Sequence, residues 1–186
     1  MKFSVARPDV VRAINQRWLL MLWNRHLGAH RVPQWQAVEA ENLSRMSGNL
    51  SFLEVARDNG TLRFLIRFHG DMIGQVYGSG DCRGKYLDEV VQTATCPTRL
   101  TPYHQAVETG RPVYTIHDIS DCEGRLVHNE RLLLPFSHDG MNVDRLLTAF
   151  EFICPDGAFD SRDLMKLQTA PPALRLSATI GPQTLA

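Results

Sequence analysis

The sequence has no hydrophobic run long enough to cross a bilayer and no excess of either charge. Its longest apolar stretch runs only from Trp18 to Trp23, whereas a membrane-spanning helix needs about 20 residues. Lysine plus arginine and aspartate plus glutamate both total 20, so the formal net charge is zero. A neutral chain lacks the basic footprint of a nucleic-acid-binding protein and opposes self-association only weakly. We therefore expect no membrane span and no nucleic-acid partner.

Cysteines are few, and their spacing matches neither a metal site nor a redox motif. None of Cys82, Cys96, Cys122 and Cys154 forms a CxxC pair, and no Cys/His cluster has zinc-site spacing. The first residues, MKFSVARPD, lack the apolar core and the cleavage site of a secretory signal. We expect a cytoplasmic protein with free thiols and without a bound metal.

Motifs of the common enzyme classes are also missing. The sequence has no phosphate-binding GxxxxGK[ST] loop, no HExxH pair and no nucleophile elbow. Asp118, Asp121 and Glu123 cluster in the segment ISDCEG and the residue before it, a group that can do acid–base work or bind a hard cation. A solvated hairpin turn is the simpler interpretation, and we predict that the protein is not an enzyme.

The N-terminal segment predicts a helix from about Pro8 to Leu27. Proline suits a first helical turn, and Gly28 is a typical stop. The apolar residues recur at spacings of three and four and form a wide stripe. They are Val11, Ile14, Trp18 and Leu22, with Leu19, Met21 and Trp23 beside them. Three alternatives remain for this stripe: docking onto its own domain, dimerisation, or insertion into a membrane surface.

The remaining sequence predicts two strands, several short helices and then three strands. The first two strands flank the turn Asp58-Asn59-Gly60. Five glycines between residues 70 and 84 favour short helices and tight loops. Helical segments are then predicted at 86–93 and 102–109, and strands at 112–119, 124–136 and 143–154. A last helix is predicted at 160–167, and the proline-containing tail from 168 to 186 is predicted to be disordered.

This order of elements resembles the PAS fold, a five-stranded antiparallel sheet with helices packed over one face. Three segments are also similar to a family of bacterial stand-alone PAS proteins: FLIRFHGDMIGQVYGSGDCRGKYLDEV, TPYHQAVETGRPVY and ERLLLPFSHDGMNVDRLL. The matching residues are Gly70, Tyr77, Gly78, Gly84, Leu87, Asp88 and Glu89 in the first, Tyr103, Val107, Gly110 and Pro112 in the second, and Glu130, Arg131, Pro135, Asp139 and Gly140 in the third. The resemblance covers residues 32 to 155.

The resemblance implies an α+β protein with a five-stranded antiparallel sheet, helices on one face and an added N-terminal helix. We divide the chain into an N-terminal helical extension (1–31), a PAS-like domain (32–155) and a short helix with a disordered tail (156–186). The implied function is a non-enzymatic sensory or regulatory module, with or without ligand gating. It would act through protein contacts, as a homodimer or with another protein. The alternative is a sensor that binds a small molecule or a cofactor such as haem or flavin.

Candidate site residues follow from these two functions. An interaction surface would use Trp18, Leu19, Leu22 and Trp23. PAS domains bury ligands between sheet and helices, and the candidate pocket-lining residues are Phe64, Ile66, Tyr77, Tyr103, Tyr114 and Phe150. A fully packed core without a cavity is the alternative.

Neither coloured cofactor is expected. Cys82 is misplaced relative to the reactive cysteine of flavin-binding photosensors, and His104 is an isolated helical histidine rather than a clear haem ligand. Glu130 and Arg131 are adjacent, so in a strand they face opposite ways. Each is expected to pair with another charge, for example Arg131 with a carboxylate in the helical segment.

Overall fold

Alternating apolar residues form the strands of the fold in the computed structural model, which describes residues 1–58, 60–91, 96–168 and 170–181. Side chains are described for all of these residues except 37 and 96–98. The strands are β1 (Ser4–Ala6), β2 (Leu50–Asp58), β3 (Thr61–His69), β4 (Val113–Ser120), β5 (Leu126–Phe136), β6 (Arg145–Ile153) and β7 (Ala173–Ile180). The α-helices are α1 (Ile14–Leu27), α2 (Gln36–Glu39), α3 (Asp71–Tyr77), α4 (Leu87–Val90) and α5 (Cys96–Thr109), and short 3₁₀ helices lie at Pro8–Val10 and Ser44–Asn49.

The strands of the described residues form one sheet in the order β1-β7-β4-β5-β6-β2-β3. Neighbouring strands are antiparallel, apart from the parallel pair β1 and β7. Strands β2 to β6 are the five that the sequence predicts. The predicted turn between β2 and β3 includes Asn59, and the predicted helix at 86–93 ends at 92–93; these residues lie outside the described part of the chain.

The prediction of five strands is wrong, because a seven-stranded sheet forms within the described residues. Part of the predicted disordered tail is β7, which pairs with β4, and Ala178 and Ile180 are buried in the core. Pro171 and Pro172 precede β7, so neither interrupts its hydrogen bonds, and Pro182 lies outside the described residues. The helix predicted at 160–167 is a series of turns from 162 to 166.

Helices cover both faces of the sheet. On one face, α1 packs over a core cluster that includes Leu19, Trp23 and Tyr114. On the other face, the side chains of α5 join a second cluster with Phe64 and Leu133. Strand β5 is buried along nearly its whole length because each face of the sheet has its own helical cover. No helix of the described residues is long and apolar enough to cross a membrane.

The buried face of α1 differs from the predicted stripe. Buried positions include Gln16, Leu19, Leu20 and Trp23, which recur at helical spacing, whereas Ile14 is 84 % exposed. Gln16 belongs to this face because its Nε2 donates hydrogen bonds to the carbonyls of Glu130 and Ala149, at 3.2 and 3.0 Å. Because one of the buried positions is polar, the spacing of apolar residues alone does not predict this face of the helix.

Candidate ligand cavity

A cavity of about 430 Å³ lies between the sheet and the helices α3 to α5. This volume is within the range of about 300–1,000 Å³ that is typical of small-molecule sites. All five central strands contribute to its floor, from Ser51 on β2 to Phe150 on β6. Met165, Lys166 and the two prolines before β7 close one side, so the C-terminal segment is part of the wall.

The register of β4 and β5 places polar residues at the centre of the cavity floor. His117 lies opposite Asn129, and Thr115 lies opposite Arg131. Because side chains alternate across a strand, the four residues share one face of the sheet. His117, Asn129 and Arg131 line the cavity, between an apolar cluster around Leu133 and another around Val127.

Arg131 is the most unusual of these residues because it is a buried charge without a carboxylate. The residue is 7 % exposed, and its Nη1 lies 3.5 Å from the Tyr103 hydroxyl, which is a long hydrogen bond. Its Nε has no hydrogen-bond partner among the described protein atoms. The predicted pairing of Arg131 with a helical carboxylate is wrong for the described residues, in which no ion pair to Arg131 forms.

Several other polar atoms of the cavity wall also lack partners. Asn129 Oδ1, His117 Nδ1 and both ring nitrogens of His69 are buried with no hydrogen-bond partner in the described protein. Native proteins pair most buried polar atoms with protein or water. The unused donors and acceptors therefore mark this wall as a place where another polar molecule fits.

The two histidines of the wall are held in the neutral form. Burial, together with the nearby charges of Arg131 and Arg99, lowers the pKa of His117 to about 4. Burial also lowers the pKa of His69, although Asp81 acts in the opposite direction. Near neutral pH each ring therefore offers one donor and one acceptor.

Aromatic and aliphatic side chains form the rest of the wall. Tyr77 and Phe150 lie edge to face with their ring centroids 6.1 Å apart, and Ile73, Leu87 and Val90 extend the apolar surface. Burial raises the pKa of Tyr103, so its phenol stays protonated. The wall combines an apolar surface with a few polar groups, as ligand sites commonly do.

Of the six predicted pocket residues, the structure brings three to this cavity. Tyr77, Tyr103 and Phe150 line it. Phe64 and Ile66 lie on the same face of the sheet, in the packed cluster beside the cavity. Tyr114 does not line this cavity, because an even-numbered position of β4 faces α1, where its hydroxyl donates to Glu130 at 2.5 Å.

Three of the four residues predicted as an interaction surface are buried within the chain. Leu19, Leu22 and Trp23 are almost inaccessible, and Trp18 is 37 % exposed. Trp23 is also anchored by its indole N–H, which donates to the Pro135 carbonyl at 2.7 Å. Only Trp18 of this set is available to a partner in the described structure.

The residues considered for cofactors and metals occupy different places. His104 packs edge to face against Phe64, with centroids 5.3 Å apart, and does not line the cavity. Cys82 is a buried free thiol of the cavity wall. Asp121 lies in the β4–β5 turn and pairs with Arg125 at 2.7 Å. Within the described residues no group of three or more acidic, histidine or cysteine side chains is arranged for a metal.

Sequence reasoning did not identify His69, His117, Asn129 and Arg131 as site residues. A signal was available in the run His128 to Arg131, four polar residues inside a strand. Such a run predicts that some of them are buried polar groups once both faces of the strand are covered.

Comparison with known proteins agrees with this architecture. No curated protein matches the chain. The family model described as PAS domain matches residues 11–151, which is most of the 186 residues. PAS domains are generally sensory or regulatory modules and are generally not catalytic. The chain therefore belongs to the PAS domain family.

Proposed function

We propose that this PAS domain is a non-enzymatic sensor whose signal is a small organic molecule bound in the cavity. The observation that carries the proposal is a cavity of about 430 Å³ with buried polar atoms that the described protein leaves unpaired. Protein interiors are close-packed and hold few voids larger than a water molecule. A bound molecule would fill this space and satisfy the polar atoms.

The hydrogen bonds of Gln16 support a structural connection between the cavity and helix α1 on the opposite face of the sheet. Its amide bonds to the backbone of Glu130 on β5 and Ala149 on β6. The next residues of these strands, Arg131 and Phe150, line the cavity. A ligand that shifts either strand would therefore act on the backbone carbonyls that hold α1.

The outer face of α1 is the proposed output surface, and a second copy of the chain is its proposed partner. Ile14, Trp18 and Met21 are exposed on this face, with Met21 at 60 %. They lie four and three residues apart, so they form one stripe. A zero net charge means that two copies do not repel each other strongly. Exposed apolar stripes of this kind are typical of protein contacts.

Cys82 supports a binding role over a catalytic one. Its Sγ donates to the Gly80 carbonyl at 3.4 Å, and no base activates it among the described hydrogen bonds. Nucleophilic catalysis needs a base within hydrogen-bond reach of the nucleophile. The cavity is therefore better suited to holding a molecule than to transforming it.

Native mass spectrometry of the purified protein tests the ligand. We expect wild type to retain a small molecule or to bind one from a metabolite extract. Val90→Trp, which places an indole at the cavity wall, should abolish that binding. Val5→Trp is the control, because Val5 is exposed and distant from the wall. Binding that is equal in the two variants would contradict the proposal.

Mass in solution tests the output surface separately. Met21→Glu places a charge on the exposed stripe and should convert a dimer to a monomer. Leu167→Glu, at another exposed apolar position, should leave the mass unchanged. A wild-type monomer at high micromolar concentration, with and without ligand, would rule out the second copy as the partner.

A further inference from the structure

The cavity wall carries positive charge and no compensating negative charge. Arg99, Arg131 and Lys166 line it, and the described wall includes neither aspartate nor glutamate. His117 and His69 add polar groups that stay neutral near pH 7. A wall with this composition favours an anionic occupant.

Arg131 makes the preference specific because its charge is buried rather than solvated. A guanidinium stays protonated in proteins, and an isolated buried charge is strongly unfavourable unless it is paired. No carboxylate of the described residues pairs with it. The positions outside the described part, 59, 92–95, 169 and 182–186, include no aspartate or glutamate in the sequence. The missing counter-charge is therefore not an acidic side chain of this chain.

Neighbouring aromatic rings compensate this charge only in part. The guanidinium carbon lies 5.7 Å from the Tyr103 ring centroid and 5.9 Å from that of Phe150. Both distances are near the limit of about 6 Å for a cation–π interaction. The rings also provide no hydrogen-bond acceptor for Nε, which has no partner among the described protein atoms. The rings fix the position of the guanidinium and leave its Nε without an acceptor.

A guanidinium with an unpaired Nε is suited to binding a carboxylate. An arginine donates two parallel N–H bonds to the two oxygens of a carboxylate, and the protonated Tyr103 hydroxyl lies beside it. Inorganic anions would satisfy the charge but would leave the apolar wall around Ile73, Val90 and Phe150 without contacts. An organic body attached to the carboxylate would cover that wall.

We propose that the ligand of this cavity is a small organic carboxylate, with its carboxylate bound by Arg131 and its apolar body packed against Tyr77, Tyr103 and Phe150. This inference rests on the proposed function, since it names the chemical class of the molecule that occupies the same cavity. Asn129 Oδ1 and His117 Nδ1 are the groups that would select polar substituents on the body.

Matched pairs of ligands test the proposal. Aliphatic and aromatic carboxylates of four to nine carbons are each compared with the corresponding carboxamide, by thermal shift and calorimetry on the full chain. We expect wild type to bind at least one carboxylate with an affinity about ten- to a hundredfold higher than its amide. Arg131→Met should remove this preference, and Arg131→Lys should retain part of it because the charge remains without the planar fork. Arg57→Met is the control, because Arg57 bonds the Val143 carbonyl outside the cavity.

Each other outcome overturns a defined part of the proposal. If carboxylate and amide bind equally and Val90→Trp weakens both, the proposed ligand-binding function stands and the preference for a carboxylate is refuted. Binding of inorganic phosphate or sulfate as tight as that of the organic acids would refute the organic body. A carboxylate preference that survives Arg131→Met would refute the role of Arg131. No binding by any pair, together with a native mass spectrum free of ligand, would refute both the inference and the proposed function.

Discussion

Glu130 and Arg131 are adjacent in β5, yet their side chains lie on opposite faces of the sheet in two different buried environments. Glu130 lies under α1 and accepts a hydrogen bond from Tyr114 at 2.5 Å. Arg131 lies over the cavity without a carboxylate partner among the described residues. The Glu130 carboxylate has a short hydrogen-bond donor within the fold, whereas the Arg131 guanidinium has only the long contact of 3.5 Å with the Tyr103 hydroxyl, so substitutions that affect the two groups should differ in their effect on stability.

Arg131→Met should leave the ligand-free protein as stable as wild type or more stable. Replacement of a whole buried ion pair by apolar side chains of similar volume is often neutral or stabilising by about 1–4 kcal/mol, and a buried charge without a counter-charge has less favourable interaction energy to lose. Arg125→Met is the matched comparison, because it removes the ion-pair partner of the Asp121 carboxylate, and it should lower stability. Urea unfolding measures both. A larger loss for Arg131→Met than for Arg125→Met would contradict the description of Arg131 as unpaired.

Tyr114→Phe should destabilise the fold by about 1–3 kcal/mol, because it removes the donor to the buried Glu130 carboxylate. Burial and the Glu130 hydrogen bond raise the pKa of Tyr114, so the phenol remains a donor at all practical pH values. The double variant Tyr114→Phe with Glu130→Gln should recover part of the loss, since the unpaired charge is then absent. Equal stability of wild type and Tyr114→Phe in urea would show that the bond contributes nothing.

Stability should fall as the pH is lowered from about 6.5 to about 4, in part because of His117. The folded state holds the pKa of this ring at about 4, below its ordinary value of 6.5. Between these values the unfolded chain binds the proton and the folded chain does not, so acid favours unfolding. The contribution is at most about 3 kcal/mol, present above pH 6.5 and lost as the pH falls towards 4. The difference in unfolding free energy between wild type and His117→Asn should change over this range; a constant difference would contradict the lowered pKa.

Ile180→Ala should cost about 2–5 kcal/mol, as expected for a large apolar side chain removed from a core. Ile180 is buried in the cluster under α1, whereas Leu174 of the same strand is largely exposed. Leu174→Ala should therefore change the free energy of unfolding by no more than about 0.5 kcal/mol. If both substitutions were neutral in chemical denaturation, the C-terminal segment would not be part of the fold.

Local sequence patterns predicted most of the elements but not all of their partners. Strands β2 to β6 follow from alternation between turn residues, and the end of α5 follows from Gly110, which adopts a positive φ of 63°. The pattern of β7 was also present, since Leu174, Leu176, Ala178 and Ile180 alternate. The neighbouring prolines favoured the prediction of a disordered tail. The sequence alone does not show that β4 offers a free edge with which β7 can pair.

Candidate site residues were predicted less well for the same reason. Tyr77, Tyr103 and Phe150 were found because aromatic residues are expected in such a wall, whereas Tyr114 was assigned to the wrong face. The side of the sheet that a strand residue faces depends on register, and a single-residue offset exchanges the two faces. In β4, His117 and Tyr114 are three residues apart, and this odd separation places His117 in the cavity and Tyr114 under α1.

The sequence by itself determined the family, the order of the central strands along the chain, and the opposite orientation of Glu130 and Arg131. These properties depend on local periodicity and on the alternation of side chains in a strand. The tertiary structure alone decided which face meets α1 and which meets the cavity, and that Arg131 is left without a carboxylate. These properties depend on contacts between residues distant in the chain. The guanidinium of Arg131 meets Tyr103 and Phe150, and the spacing of residues along one strand does not specify such contacts.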